Sequence, residues 1–137
     1  MVEDYDSCIP EKYDIAWNKF FDDSSSVNCL VAIVDSKIVG FMNYLLHESA
    51  WDEEPFCYLS DLYVKPEYRL NGYARYMIQA LLERTIQYGW ARLYWVTEFG
   101  NPTRILYDRL ANSEFVRYHI DVPNCIKFNE GSDVVVT

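Results

Sequence analysis

Residues 58 to 75 read YLSDLYVKPEYRLNGYAR, from Tyr58 to Arg75. Aromatic and aliphatic residues run up to Val64 and Pro66 stops them, which predicts a strand over Phe56 to Val64. After the loop Glu67 to Asn71, apolar residues recur at Ala74, Met77, Ile78, Leu81, Leu82 and Ile86, one face of a helix that closes near Gly89. A strand that passes through a short glycine-bearing loop into a helix makes an anion site. The helix start exposes unpaired backbone N–H groups and a partial positive charge, and Gly72 and Ala74 keep side chains out of their way. On periodicity alone, the same loop reads equally well as a plain surface loop capping a helix.

Downstream, Ala91 to Thr97 (ARLYWVT) reads as a strand, Pro102 to Leu110 as a short helix and Glu114 to Ile120 as a further strand. Strand, helix, strand, helix, strand implies a βαβ crossover and a partly parallel sheet. Upstream, Cys29 to Val34 and Ile38 to Leu46 form two strands joined by Asp35-Ser36-Lys37, an antiparallel hairpin with Gly40 as a candidate bulge. Ile9, Tyr13, Trp17, Phe20 and Phe21 fall at helical spacing, so Ile9 to Phe21 is expected to be an amphipathic helix with these aromatics in the core. The tail Asn129 to Thr137, with Val134-Val135-Val136, is an edge strand, a contact between subunits or disordered.

With 137 residues, the chain suits a single domain spanning 1–137. Twelve Lys and Arg against 21 Asp and Glu give a formal charge of −9, which argues against nucleic acid and anionic lipid as partners and for a cationic one. Half the residues are apolar and 17% aromatic, enough for a real core. Cys8, Cys29, Cys57 and Cys125 lie far apart without metal-ligand spacing, so no metal is expected and the thiols read as small buried hydrophobes. Met1 precedes acidic residues and no apolar run approaches a membrane span, which predicts an intracellular, cytoplasmic protein.

Arg69, Gly72 and Ala74 match [Q/R]-x-x-G-x-[G/A], and in this respect the sequence resembles the GNAT superfamily of acetyl-coenzyme A dependent N-acetyltransferases. Asn101-Pro-Thr-Arg-Ile-Leu-Tyr107 is similar to a second segment of that family, and Leu30 to Ile120 follows its order of elements. Phe41 to His47, Trp51-Asp52, Tyr58 to Val64 and Tyr94 to Glu98 look most like its small histone and polyamine acetyltransferases.

The resemblance implies an α/β (α+β) fold, the acyl-CoA N-acyltransferase fold. Its mixed central sheet has antiparallel N-terminal strands, a parallel splayed pair at the cofactor site and flanking helices. It implies transfer of acetyl from acetyl-CoA to a primary amine by direct attack in a ternary complex. Backbone groups of Leu62, Tyr63 and Val64 would bond the pantetheine arm. Arg69, Leu70, Asn71, Gly72, Tyr73, Ala74 and Arg75 would hold the pyrophosphate, Asn101 would touch the arm, and the Tyr107 hydroxyl would protonate the departing thiolate. Relatives usually begin with a strand, whereas this chain enters a helix almost at once, and many of them form homodimers.

One position departs from the pattern. Several polyamine-acetylating relatives carry Glu-Asp where this chain has Ser60-Asp61. Asp61 is expected near the acceptor, but adjacent strand residues point to opposite faces, so it does not stand in for an acidic residue at 60, and the receivers left for the proton of the amine are a water chain to Glu98 or the acidic loop. Trp51, Asp52 and Glu53 of that loop would draw a cationic amine, although solvation is the usual reason for such a loop. In isolation Tyr107 reads as a half-buried core residue; the matched segment reverses that reading. A non-catalytic acyl-CoA binding module of the same fold is the alternative that Ser60 suggests.

Overall fold

The computed structural model describes residues 10–121. They form α1 (Pro10–Phe20), β1 (Val27–Val34), β2 (Lys37–His47), β3 (Phe56–Val64), a 3₁₀ turn (Pro66–Tyr68), α2 (Tyr73–Tyr88), β4 (Arg92–Tyr94) and α3 (Arg104–Leu110). The strands lie in the order β1-β2-β3-β4, antiparallel in the first two pairings and parallel between β3 and β4. This is the mixed sheet with flanking helices that the motif order predicts.

The core lies between the sheet and α2. Met42, Tyr44, Cys57, Leu59 and Val64 from the strands meet Met77, Ile78 and Leu81 from the helix. Gly89 closes α2 in the left-handed region at φ 71°, and its N–H reaches the carbonyls of Thr85 and Ile86. A glycine adopts that conformation without the Cβ clash that other residues meet there.

Two irregularities shape the sheet. Between β1 and β2, Ala32 pairs with Gly40 and Ile33 with Ile38, which leaves Val39 as an extra residue beside the expected bulge at Gly40. A Cβ on Gly40 would lie 2.5 Å from the Tyr63 carbonyl oxygen, a backbone atom that cannot rotate aside. Gly40→Ala should therefore cost about 1–3 kcal/mol of stability, visible as a lower urea midpoint with an unchanged slope. Between β2 and β3, Asn43 pairs with Asp61 and Tyr44 with Leu59, so Ser60 is the extra residue of a second bulge. That insertion resets the alternation of β3: Leu59 and Leu62 both pack on the α2 side, although an unbroken strand would send them to opposite faces.

Three expectations are corrected. Glu114 to Ile120 is not a strand; Phe115 and Tyr118 are exposed, and no ladder reaches this segment among the described residues. Its aromatic and β-branched residues favour a pleated, half-buried surface, but a strand forms only where a neighbour offers one. The strand expected to run to Thr97 ends at Tyr94, where its partner diverges. Trp17 and Phe21 are not core: they stack on each other with centroids 5.1 Å apart and are 53% and 72% exposed. α1 meets the sheet at its edge strand β1, so its apolar stripe is only partly covered by the described residues. The tail Asn129 to Thr137 lies outside the described residues.

Candidate functional site

Parallel pairing of β3 and β4 holds for three residues, Phe56 with Arg92, Cys57 with Leu93 and Tyr58 with Tyr94, and then stops. The Ser60 bulge falls where the strands part, as expected of an insertion that bends and twists its strand. The result is a wedge of about 190 Å³ lined by Leu59, Ser60, Asp61 and Leu62 on one side and Trp95, Val96, Thr97, Asn101 and Tyr107 on the other. Backbone groups facing a gap between separated strands can bond an extended ligand as a further strand would.

At the far end of β3 the chain turns through Pro66–Tyr68 into α2. Leu70 and Gly72 both take positive φ, 63° and 81°, and Gly72 caps the helix. The first bond inside α2 runs from the Tyr76 N–H to the Gly72 carbonyl at 3.1 Å, so the Tyr73, Ala74 and Arg75 amides precede the helical ladder. The loop is held from within. Arg69 Nε donates to the Val64 carbonyl at 2.8 Å, and Asn71 Nδ2 lies 3.2 Å from the Tyr68 carbonyl and 3.0 Å from that of Arg69. Arg69 is thus a strut between loop and strand, with its guanidinium carbon 5.6 Å from the Tyr63 ring centroid. Amides at a helix start and a glycine cap suit a diphosphate, while Arg75 lines a separate groove with Leu82 and Leu110.

Tyr107 sits on α3 and lines the wedge, its ring edge-on to Trp95 at 5.4 Å. Burial pushes its phenol above the ordinary value of 10, so it holds its proton at neutral pH. Asn101 also lines the wedge, but its amide organises the loop: Nδ2 donates to Thr97 Oγ1 at 2.8 Å, and Oδ1 accepts from the Thr103 N–H at 2.9 Å.

Asp61 is part of the wedge lining. Asn43 Nδ2 donates to its Oδ2 at 3.2 Å, and the Ser60 hydroxyl lies 3.0 Å from the same oxygen. The bulge thus places Ser60 and Asp61 together in the wedge lining, where strict alternation would have separated them. Trp51, Asp52 and Glu53 are exposed on the β2–β3 connection, at the end of β3 away from the α2 loop, and Glu98 is exposed on the loop after β4. None of these four lines the wedge, so the structure does not gather them with Asp61.

Two features escaped the sequence reading. Asn43 went unremarked, although a carboxamide inside the apolar run Phe41 to Leu46 is a signal in itself. His47 bridges β2 and β4 below the wedge. Its Nδ1 lies 3.0 Å from the Glu48 carbonyl, which can only accept, so Nδ1 carries the proton and Nε2 accepts from the Tyr94 hydroxyl at 2.7 Å. Cys57 is fully buried and its thiol is pushed up to about 11, which suits packing and not nucleophilic attack. Among the described residues, no cluster of His, Cys, Asp and Glu is arranged to hold a metal ion, and no helix is long and apolar enough to cross a membrane.

Known proteins resemble the chain in sequence and in fold. The chain is 34% identical over 74 residues to a D-amino-acid N-acetyltransferase of Saccharomyces cerevisiae, a match covering 53% of this chain and 46% of that protein. The chain thus spans about half the length of the curated relative it matches. Its fold superposes on a ribosomal-protein-alanine N-acetyltransferase from Brucella melitensis with a TM-score of 0.69, at 22% identity and covering 82% of each chain. An aminoglycoside N-acetyltransferase in complex with CoA gives 0.66 at 19% identity, covering 83% of this chain and 88% of the other. A family model described as Acetyltransferase (GNAT) family matches residues 1–111, and the chain belongs to that family.

Proposed function

We propose that the protein transfers an acetyl group from acetyl-CoA to a primary amine. The observation that carries the reading is the wedge between β3 and β4, with Tyr107 inside it and the Gly72-capped start of α2 at the other end of β3. Bound acetyl-CoA supplies an acetyl group activated as a thioester. In this reading the Leu62 to Val64 edge orients the pantetheine arm, and the amides from Leu70 to Arg75 hold the diphosphate. Tyr107 keeps its proton at neutral pH and gives it to the leaving sulfur; Asp61 takes one proton from the attacking nitrogen.

The acceptor has to reach Asp61, a carboxylate that lines the wedge together with Trp95, in a chain of net charge −9. That setting favours a cationic amine. The relatives named above act on amines of differing kinds, so the acceptor is best found by assay. Incubating the protein with acetyl-CoA and 1,4-diaminobutane, D-alanine, L-lysine or a lysine-containing peptide should release free thiol with at least one of them. Tight acetyl-CoA binding without thiol release on a wide amine panel would instead mark a binding module.

A further inference from the structure

Two polar side chains are buried among the described residues, Thr85 and Asn43. Thr85 is accounted for, since its hydroxyl donates to the Leu81 carbonyl at 2.8 Å. Asn43 is not. It lies in the middle of β2 at 8% exposure, and its Oδ1 is enclosed with no hydrogen-bond partner. Its orientation is forced from the other end: a carboxylate only accepts, so the Nδ2 that donates to Asp61 Oδ2 cannot exchange places with the oxygen. The protein therefore buries an acceptor unpaired in order to aim a donor at Asp61. For folding alone this is a poor choice, because an aliphatic residue of similar size would fill the same place in an apolar strand without the penalty.

The bulge completes the arrangement. The Ser60 hydroxyl lies 3.0 Å from Asp61 Oδ2 and 3.2 Å from the Asn43 carbonyl, so the inserted residue and the buried amide approach the same carboxylate oxygen. We infer that Asn43 is a positioning residue of acetyl transfer: acting with Ser60, it fixes the Asp61 carboxylate at the wedge so that the carboxylate meets the proton of the attacking amine. This inference rests on the acetyl-transfer reading above. The amine attacks in its neutral form, having first given its ammonium proton to solvent. As the new carbon–nitrogen bond forms and the thioester carbon–sulfur bond breaks, one N–H proton passes to Asp61 and the sulfur leaves with the Tyr107 proton, which solvent restores; Asn43 itself gives up and takes up nothing. A carboxylate that must swing into place loses part of the advantage of a prearranged base.

The test is a double-mutant cycle in the full chain, using whichever amine the thiol assay finds. Asn43→Leu should keep or raise the thermal midpoint, since it removes the unpaired oxygen, and should leave the acetyl-CoA Kd within twofold. Its kcat should fall by roughly 10- to 10²-fold, a part of the 10²- to 10⁴-fold that a positioned base supplies. In an Asp61→Asn background the same change should cost less than twofold, because the group through which it acts is already gone. Asn43→Ser, which keeps a donor and is small enough to fold if Leu does not, should recover a large share of the rate. The inference is overturned if Asn43→Leu retains wild-type kcat, if its loss is equally large beside Asp61→Asn, or if Asn43→Ser behaves like Leu. A wild-type chain that binds acetyl-CoA and acetylates no amine overturns the acetyl-transfer reading itself, a result distinct from an active wild type indifferent to position 43.

Discussion

Replacing Tyr107 with phenylalanine should lower kcat by about 10- to 10³-fold while leaving the acetyl-CoA Kd within twofold of wild type. The ring contributes packing, as its edge-on contact with Trp95 at 5.4 Å shows, and phenylalanine keeps the ring. Only the hydroxyl is lost. Departure of a thiolate is easier when a proton arrives with it, and a phenol that burial pushes above its ordinary value holds its proton at neutral pH. Because the role proposed for the hydroxyl is on the breaking bond, its removal should appear in kcat and not in binding. Single-turnover kinetics would separate the chemical step from product release. A wild-type rate in that experiment would remove Tyr107 from the mechanism and return it to the core residue that its half-buried place on α3 also allows.

What could be read in the sequence, and what could not, divides by the range of the interactions. α2 was legible because a helix writes its buried face into its own periodicity, and Gly89 marks its end by a local backbone need. The loop at Gly72 was legible for the same reason. The second bulge was not: whether Ser60 is an extra residue depends on how Asn43 and Tyr44 pair across the sheet, which no property of β3 alone records. The role of Asp61 followed that error, since strict alternation separates it from Ser60 and the bulge brings the two together. Glu114 to Ile120 has the composition of a strand, but pairing needs a partner that the segment itself does not specify. The acidic residues Asp52 and Glu53 were placed by charge and by the resemblance, and neither says whether a loop reaches the wedge lining, which these two do not.

Gly72→Glu should weaken acetyl-CoA binding by about 10³-fold or more, equivalent to about 4 kcal/mol, with the fold intact. Two separate penalties act at this position. The first is conformational: φ at Gly72 is 81°, and a side chain there is strained even though its Cβ would meet nothing closer than Tyr76 Cε2 at 3.7 Å. Such strain is on the order of 1–2 kcal/mol. The second is electrostatic, and larger. A carboxylate at the cap of α2 would itself occupy the amides of the first turn, as an N-cap side chain does, and would place a negative charge where the diphosphate is proposed to bind. A graded series separates the two. Gly72→Asn, whose side chain tolerates positive φ, and Gly72→Ala, which adds strain alone, should each lose about tenfold or less by calorimetry, whereas Glu should lose binding outright. Circular dichroism should show α2 present in all three, because an acidic residue at a helix start stabilises the helix even as it fills the site. Equal losses for Ala and Glu would mean that backbone shape, and not the anion-binding amides, governs binding; undiminished affinity in the Glu variant would place the diphosphate elsewhere.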